Sequence, residues 1–212
     1  MGESRTIRTV AMLCSILLAS SFPAAAAGGL RASRQLGFEV SEYRDANGGR
    51  WIHMTCEYEG LYGASIDDLI ATLWDFPRSP RVFSRIEAVR VRSESKDFAV
   101  TEQRTAVRLL GLAYVSNLVF ANRVERTGPR EAKVSFETIE TDDTCLSSKG
   151  GWTFSEDQGK DGPTTLARYS VDSYIKPRFP GQAAIMRSFG ASDVARLLRE
   201  LGAAVAGGPS RE

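Results

Sequence analysis

From Ile86 to Pro177 the chain is written almost entirely in twos. "IEAVRVRSES" (86–95), "FAVTEQRTAVRLL" (98–110), "AYVSNLVFANRVER" (113–126), "EAKVSFETIE" (131–140), "GGWTFSED" (150–157) and "TTLARYSVDSYIKP" (164–177) follow one another, parted by polar or glycine-bearing turns such as "KD", "TGPR" and "QGKDGP". A period of two puts alternate side chains on opposite faces of an extended strand, and short turns join antiparallel neighbours. "RWIHMTCEYEG" (50–60) predicts one more strand ahead of these six. Ile52, Met54, Cys56 and Tyr58 fall on its apolar face, and Trp51, His53, Thr55 and Glu57 on the other. A sheet of seven strands must cover one face with something, and little in this chain is available to do so.

The cover comes in two pieces. "SIDDLIATLWDFPRSPRVF" (65–83) writes a short amphipathic helix and then stops it. Ser65 suits an N-cap, and Asp67 and Asp68 suit the first turn, where the helix dipole favours negative charge. Ile66, Leu69, Ile70, Leu73 and Trp74 form one apolar stripe. Pro77 disfavours helix at Phe76, and Pro80 is well placed to start a second short helix through Ser84. Past "PRFPG" (177–181) comes the single long helix. Val194, Leu197, Leu198, Leu201 and Val205 form its stripe, with Arg196, Arg199 and Glu200 opposite, and Met186 and Phe189 extend the apolar side. Gly190, inside the pattern, marks a bend or a close-packing point and costs about 1 kcal/mol of helix propensity. The predicted fold is therefore α+β: a curved, seven-stranded antiparallel sheet wrapped on a long C-terminal helix, with two short helices between strands one and two. Such a wrap need not fill its own interior, and apolar hollows of this kind are where ligands bind.

The ends read differently. Residues 1–27 have the character of a signal peptide: Arg5 and Arg8, an apolar run "VAMLCSILLASSF" (10–22), then "PAAAA" with cleavage expected near Ala26 or Ala27. The run is shorter than the ~20 residues of a membrane span, although a retained anchor is the alternative. Cys14 does not make a lipoprotein signal, because Leu13 stands where a small residue is required. An exported protein, periplasmic or secreted, with no stable membrane anchor is expected. Residues 28–49 are expected to be a loose lead-in in which only "LGFEVSEY" reads as an edge strand. The domain proper is placed at 50–206 and a frayed tail at 207–212. The part after residue 27, roughly 185 residues, suits one domain.

Charge excludes one class of partner. Twenty-seven basic and 26 acidic residues leave a net charge of +1, with no basic stripe for nucleic acid. Cys56 and Cys145 remain after the leader. In an oxidising compartment they either bridge or stay as two buried thiols, and the sequence leaves both open.

At this point the chain resembles a known superfamily. "GASIDDLIATLWDFPRSPRVFSRIEAVRV", "LSSKGGWTFSED" and "TTLARYSVDSYIKPRFP" look like the SRPBCC, or START-like, proteins. These include START lipid-transfer domains, polyketide aromatase/cyclases and coenzyme Q-binding proteins. The resemblance covers about residues 50–205, and its motifs concern packing more than chemistry. It implies a helix-grip fold with a cavity between the long helix and the concave face of the sheet, holding hydrophobic or amphipathic molecules.

The candidate cavity wall follows from strand alternation. Val134 and Phe136 share a face, as do Trp152 and Phe154, and Ala167, Tyr169 and Val171. In 113–126 the bulkier face carries Tyr114, Leu118 and Phe120, although both faces are apolar. With Met186 and Phe189, the ligand-binding candidates are Leu118, Phe120, Val134, Phe136, Trp152, Tyr169, Val171, Met186 and Phe189; taken singly, each reads first as ordinary core. His53, the one histidine, belongs to the polar face. Glu102 with Arg104, and Arg168 with Asp172, read as ladders on the convex face. Arg78, Arg81 and Arg85 read as surface, or as cations at a cavity mouth. There is no nucleophile elbow, P-loop, dinucleotide fingerprint or metal-ligand spacing, so no cofactor, metal or catalytic residue is assigned. The expected function is sequestration or carriage of a lipid-like ligand by a monomer. The alternatives are a cyclase- or aromatase-type enzyme on an apolar substrate, and an envelope protein-interaction module.

Overall fold

The computed structural model describes residues 29–109, 112–160 and 162–208. The leader through residue 27, with Cys14, and the last residues of the tail lie outside these. Eight strands form a single sheet, one more than the alternation predicts. They are β1 (Leu30–Arg44), β2 (Arg50–Tyr62), β3 (Ile86–Glu94), β4 (Phe98–Leu109), β5 (Leu112–Gly128), β6 (Glu131–Thr141), β7 (Cys145–Gly159) and β8 (Gly162–Ile175). Their order across the sheet is β1-β2-β8-β7-β6-β5-β4-β3, and every neighbouring pair is antiparallel.

The extra strand is the supposed lead-in. β1 pairs with β2 from Leu30 to Arg44, so order begins well before Arg50. Two features hide it in the sequence. A register shift between Gln35 and Gly37 breaks the period of two in mid-strand. β1 is also an edge strand, so most of its residues are solvated and polar. "DANGG" is not slack but a built turn. The Asp45 carboxylate accepts from the Asn47 and Gly49 amides at 2.9 and 2.7 Å and from Trp51 Nε1 at 2.9 Å. β7 likewise starts at Cys145, ahead of the "GGWTFSED" (150–157) that alternation marks as strand, with a register shift between Cys145 and Ser147.

The connection from β2 to β3 runs from one side of the sheet to its far edge. It is made by α1 (Ile66–Trp74), a 3-10 turn (Phe76–Arg78) and α2 (Ser79–Val82). Ser65 caps α1 as the sequence predicts, in a reciprocal capping box with Asp68, and Pro77 falls inside the 3-10 turn that replaces the helix. α3 (Gln182–Ala206) then lies along the concave side. Val194, Leu198 and Leu201 of its stripe are buried among Tyr58, Tyr62, Leu69 and Phe83. Two tyrosines of β2 dock the helix backbone: the Tyr58 hydroxyl donates to the Ala191 carbonyl at 3.0 Å and that of Tyr62 to Leu198 at 3.1 Å.

α3 leans toward β1 and β2. Gly190 is a close-packing point, since a Cβ there would overlap the Phe38 ring. At Gly202 an added Cβ would stand 2.6 Å from the Leu30 backbone nitrogen. The unexpected strand is thus what the helix packs upon. With its principal contacts on β1, β2, α1 and α2, α3 leaves the side toward β3, β4 and β5 without a tight cover.

Candidate functional site

The uncovered side is a cavity of about 330 Å³ between α3, the α1–α2 segment and the concave face of the sheet. Its lining is mostly apolar. Leu73, Trp74, Phe76 and Phe83 close the end under the short helices. Leu118, Phe120, Val134, Phe136, Trp152 and Val171 form the floor, and Ile185, Met186, Val194 and Leu197 the roof. The short helix pair therefore plugs one end of the curved sheet. Phe120 and Phe136 meet edge to face at 5.6 Å, and Trp152 leans on Tyr169 at 4.7 Å between ring centres. Such pairs hold the wall in shape without filling the space.

Eight of the nine sequence-predicted wall residues line this cavity: Leu118, Phe120, Val134, Phe136, Trp152, Tyr169, Val171 and Met186. The inward face of β5 is the one carrying Tyr114, Leu118 and Phe120. Phe189 does not line it and is 42% exposed. The helical period puts Phe189 near the cavity side. Because α3 leans toward β1, its opposite flank stands clear of the sheet, and Phe189 sits on that flank. Phe154 is buried in the core beside the cavity and is not part of its wall.

Three polar places interrupt the apolar lining. At the α2 end, Arg85 Nη2 lies 2.8 Å from Asp193 Oδ2, and Asp193 is only 7% exposed. The other Asp193 oxygen takes Arg196, which also reaches Glu200 at 3.8 Å. Glu200 accepts in turn from the Ser84 amide at 3.3 Å. Buried charge survives only when paired, and this ladder pairs it while tying α3 to the start of β3. Tyr169 stands close enough to feel both Arg85 and Asp193, and its phenol is pushed well above the usual range, chiefly by burial. Along β4 and β5, Asn122 Nδ2 and Gln103 Nε2 each donate to Thr101 Oγ1 at 3.0 Å. At the other end, Ser148 and Ser173 hydroxyls meet at 2.7 Å, and Thr144 donates to Ser116 at 2.7 Å. Tyr114 donates to the Thr144 carbonyl, and burial pushes its phenol up to about 12.

Arg85 and Asp193 are the charged lining residues that alternation does not find. Arg85 was expected at the surface or at a cavity mouth with Arg78 and Arg81. Arg81 is exposed, Arg78 donates to the Gly208 carbonyl at 3.3 Å, and Arg85 turns inward. Asp193 carries one legible signal: it lies four residues before Leu197 and seven after Met186, an acid inside an apolar stripe.

The other charged candidates lie outside the cavity. His53 Nε2 sits 3.0 Å from Asp172 Oδ1, with its ring stacked on Tyr174 at 4.4 Å. Arg90 and Arg92 hold Glu102, Arg104 holds Glu87, and Arg168 holds Glu59. Cys56 and Cys145 are separate, buried thiols, each pushed up to about 11 by desolvation, and Cys145 touches the cavity. Among the described residues no group of three or more His, Cys, Asp or Glu is placed to hold a metal ion, and no helix is long and apolar enough to cross a membrane.

Solved structures with this architecture include an aromatase/cyclase and lipid transfer proteins. The aromatase/cyclase ZhuI from Streptomyces sp. R1128 superposes with a TM-score of 0.55 at 15% identity, over 74% of this chain and 97% of that one. Human StAR-related lipid transfer protein 5 gives 0.56 at 13% identity, over 81% and 88%. A STAR-related lipid transfer protein from Xanthomonas axonopodis gives 0.51 at 17% identity, over 76% and 96%. At these identities the likeness is one of fold: the helix grip, here with an eighth strand at its edge. No curated protein matches by sequence. Residues 62–201, which run from the end of β2 through α1 and the cavity wall into α3, match the polyketide cyclase/dehydrase and lipid transport family, and the chain belongs to that family.

Proposed function

We propose that this protein is an exported carrier that binds and sequesters one hydrophobic or amphipathic small molecule between α3 and the sheet. The observation that carries the proposal is the hollow itself: a space of about 330 Å³ with a mostly apolar lining, in a chain otherwise able to bury its core. Burial would drive binding, at ~25 cal/mol per Å² of apolar surface removed from water, so a few hundred Å² supply several kcal/mol. Two structural neighbours, both named as lipid transfer proteins, support such a role. Export rests on the leader-like residues 1–27 and their "PAAAA" cleavage pattern.

The test is native mass spectrometry of the mature protein purified from its own cell envelope, followed by extraction of whatever co-purifies. An added mass that extracts into organic solvent is expected. Phe136→Glu and Met186→Glu should each lose that mass while keeping the far-ultraviolet circular dichroism of the parent. Folded variants that retain the ligand would remove these residues from the site, and a parent that never carries one would sink the carrier proposal.

A second function is favoured by one specific observation, the Arg85–Asp193 pair with Tyr169 inside an apolar hollow. Such groups are what a cyclase-type enzyme needs to polarise a carbonyl and move a proton, and one neighbour is named an aromatase/cyclase. Conversion of the extracted ligand on re-incubation with fresh protein, lost in Asp193→Asn, would decide for catalysis.

A further inference from the structure

The carrier proposal leaves the ligand's polar end unspecified, and the α2 end of the cavity constrains it. Three facts meet there. Asp193 is 7% exposed and lines the cavity with both oxygens on guanidinium groups, those of Arg85 and Arg196. Arg85, the one cation in the lining among the described residues, already spends its charge on Asp193. The side chain of Tyr169, a residue 8% exposed, makes no hydrogen bond to the protein among the described residues. Yet among the described residues no fully buried side-chain oxygen or nitrogen is left without a partner. The Tyr169 hydroxyl is therefore not sealed off, and Tyr169 is part of the cavity lining.

The charges sum to nothing useful for an ion. A carboxylate or phosphate brought beside Arg85 would also stand beside the Asp193 carboxylate, in a site with little water to screen the repulsion. A hydroxyl, ketone or amide meets no such opposition. It can accept from Tyr169 or Arg85, and a hydroxyl can donate to Asp193. The cavity, at about 330 Å³, lies near the lower end of the ~300–1,000 Å³ typical of small-molecule sites. That size points to a compact or single-chain guest.

We infer that the Arg85–Asp193–Tyr169 cluster selects an uncharged oxygen function on the ligand and rejects anionic amphiphiles of the same skeleton, so that Asp193 is a specificity-determining residue. This rests on the carrier proposal, and the test separates the two. The probes are decanol and decanoate, measured by displacement of an environment-sensitive fluorophore near pH ~8, where a carboxylic acid is ionised. The readout is the change, from parent to variant, in the ratio of the decanoate Kd to the decanol Kd, a change in which the general penalty of dehydrating an anion cancels.

Asp193→Asn leaves Arg85 without its counter-charge and should shift that ratio toward decanoate by roughly tenfold or more. Arg85→Gln/Asp193→Asn, which removes both charges, should fall between that variant and the parent; it keeps the test open should the single variant fold poorly. Tyr169→Phe should weaken decanol about fivefold, the loss of one hydrogen bond, and leave the decanoate Kd nearly unchanged. An unchanged ratio in folded Asp193 variants would overturn the selection while leaving the carrier proposal standing. Failure of the parent to bind decanol would overturn the selection of an uncharged oxygen, whereas the carrier proposal stands or falls on the co-purified mass.

Discussion

At the scale of single residues, burial decides chemistry more than residue type does. Cys56 and Cys145 would be candidate disulfide partners in an exported protein, yet the fold keeps them apart as buried thiols, each holding its proton up to about 11. Unfolded thiols ionise near their ordinary value of 9.0. The neutral form is favoured in the folded state, so the contribution to stability is complete below that ordinary value and is lost as pH rises from it toward about 11. The melting midpoint should therefore fall across that window, and less steeply in Cys145→Ala. In native protein at neutral pH both thiols should react slowly with Ellman's reagent, and quickly once denaturant is added. Immediate reaction of the native protein would contradict their burial. No reaction even after unfolding would mean that they are bridged.

At the scale of elements, the long helix is held by how near it comes to one strand. Gly190 and Gly202 are the two places where α3 gives up side chains so that β1 can approach. The obstacles differ. At Gly190 an added methyl meets the far end of the Phe38 ring, which can turn. At Gly202 it meets the backbone and Cβ of Leu30, which cannot move without the sheet. Replacing glycine by alanine in a helix interior gains about 1 kcal/mol of propensity, whereas overpacking a tight contact costs about 1–3 kcal/mol. Gly202→Ala should therefore be destabilising and Gly190→Ala close to neutral, as measured by urea titration with a constant m-value. The reverse order would show that β1 is not the surface on which the helix seats.

For the whole molecule, the first strand makes the grip one-sided. With α3 drawn toward β1 and β2, the space toward β3, β4 and β5 stays open, and this asymmetry is what leaves room for a guest. A chain beginning at Arg50, the boundary that alternation alone suggests, would lose the partner of β2 and the seat of Gly190 and Gly202 together. Such a truncation should express poorly or melt well below a chain beginning at Gly28, and it should show faster amide exchange in α3 as well as β2. Equal stability of the two chains would mean that β1 is an ornament on the fold.

What the sequence determined by itself was whatever repeats locally. Six strands between Ile86 and Pro177, the Ser65 cap, the stop at Pro77 and the stripe of Val194, Leu198 and Leu201 all follow from spacing, because alternation and the helical period are properties of neighbouring residues. Seven wall residues on strands followed from the same rule, since a strand's inward face is fixed once its period is known, and Met186 followed from the helical period. What only the tertiary structure decided depended on groups far apart in the chain. β1 counts as a strand because β2 pairs with it across a bulge. Arg85 faces inward because Asp193, more than a hundred residues later, neutralises it there. Phe189 reaches solvent because α3 tilts away from it. None of these has a local period to betray it, since each is settled by which distant surface the segment meets.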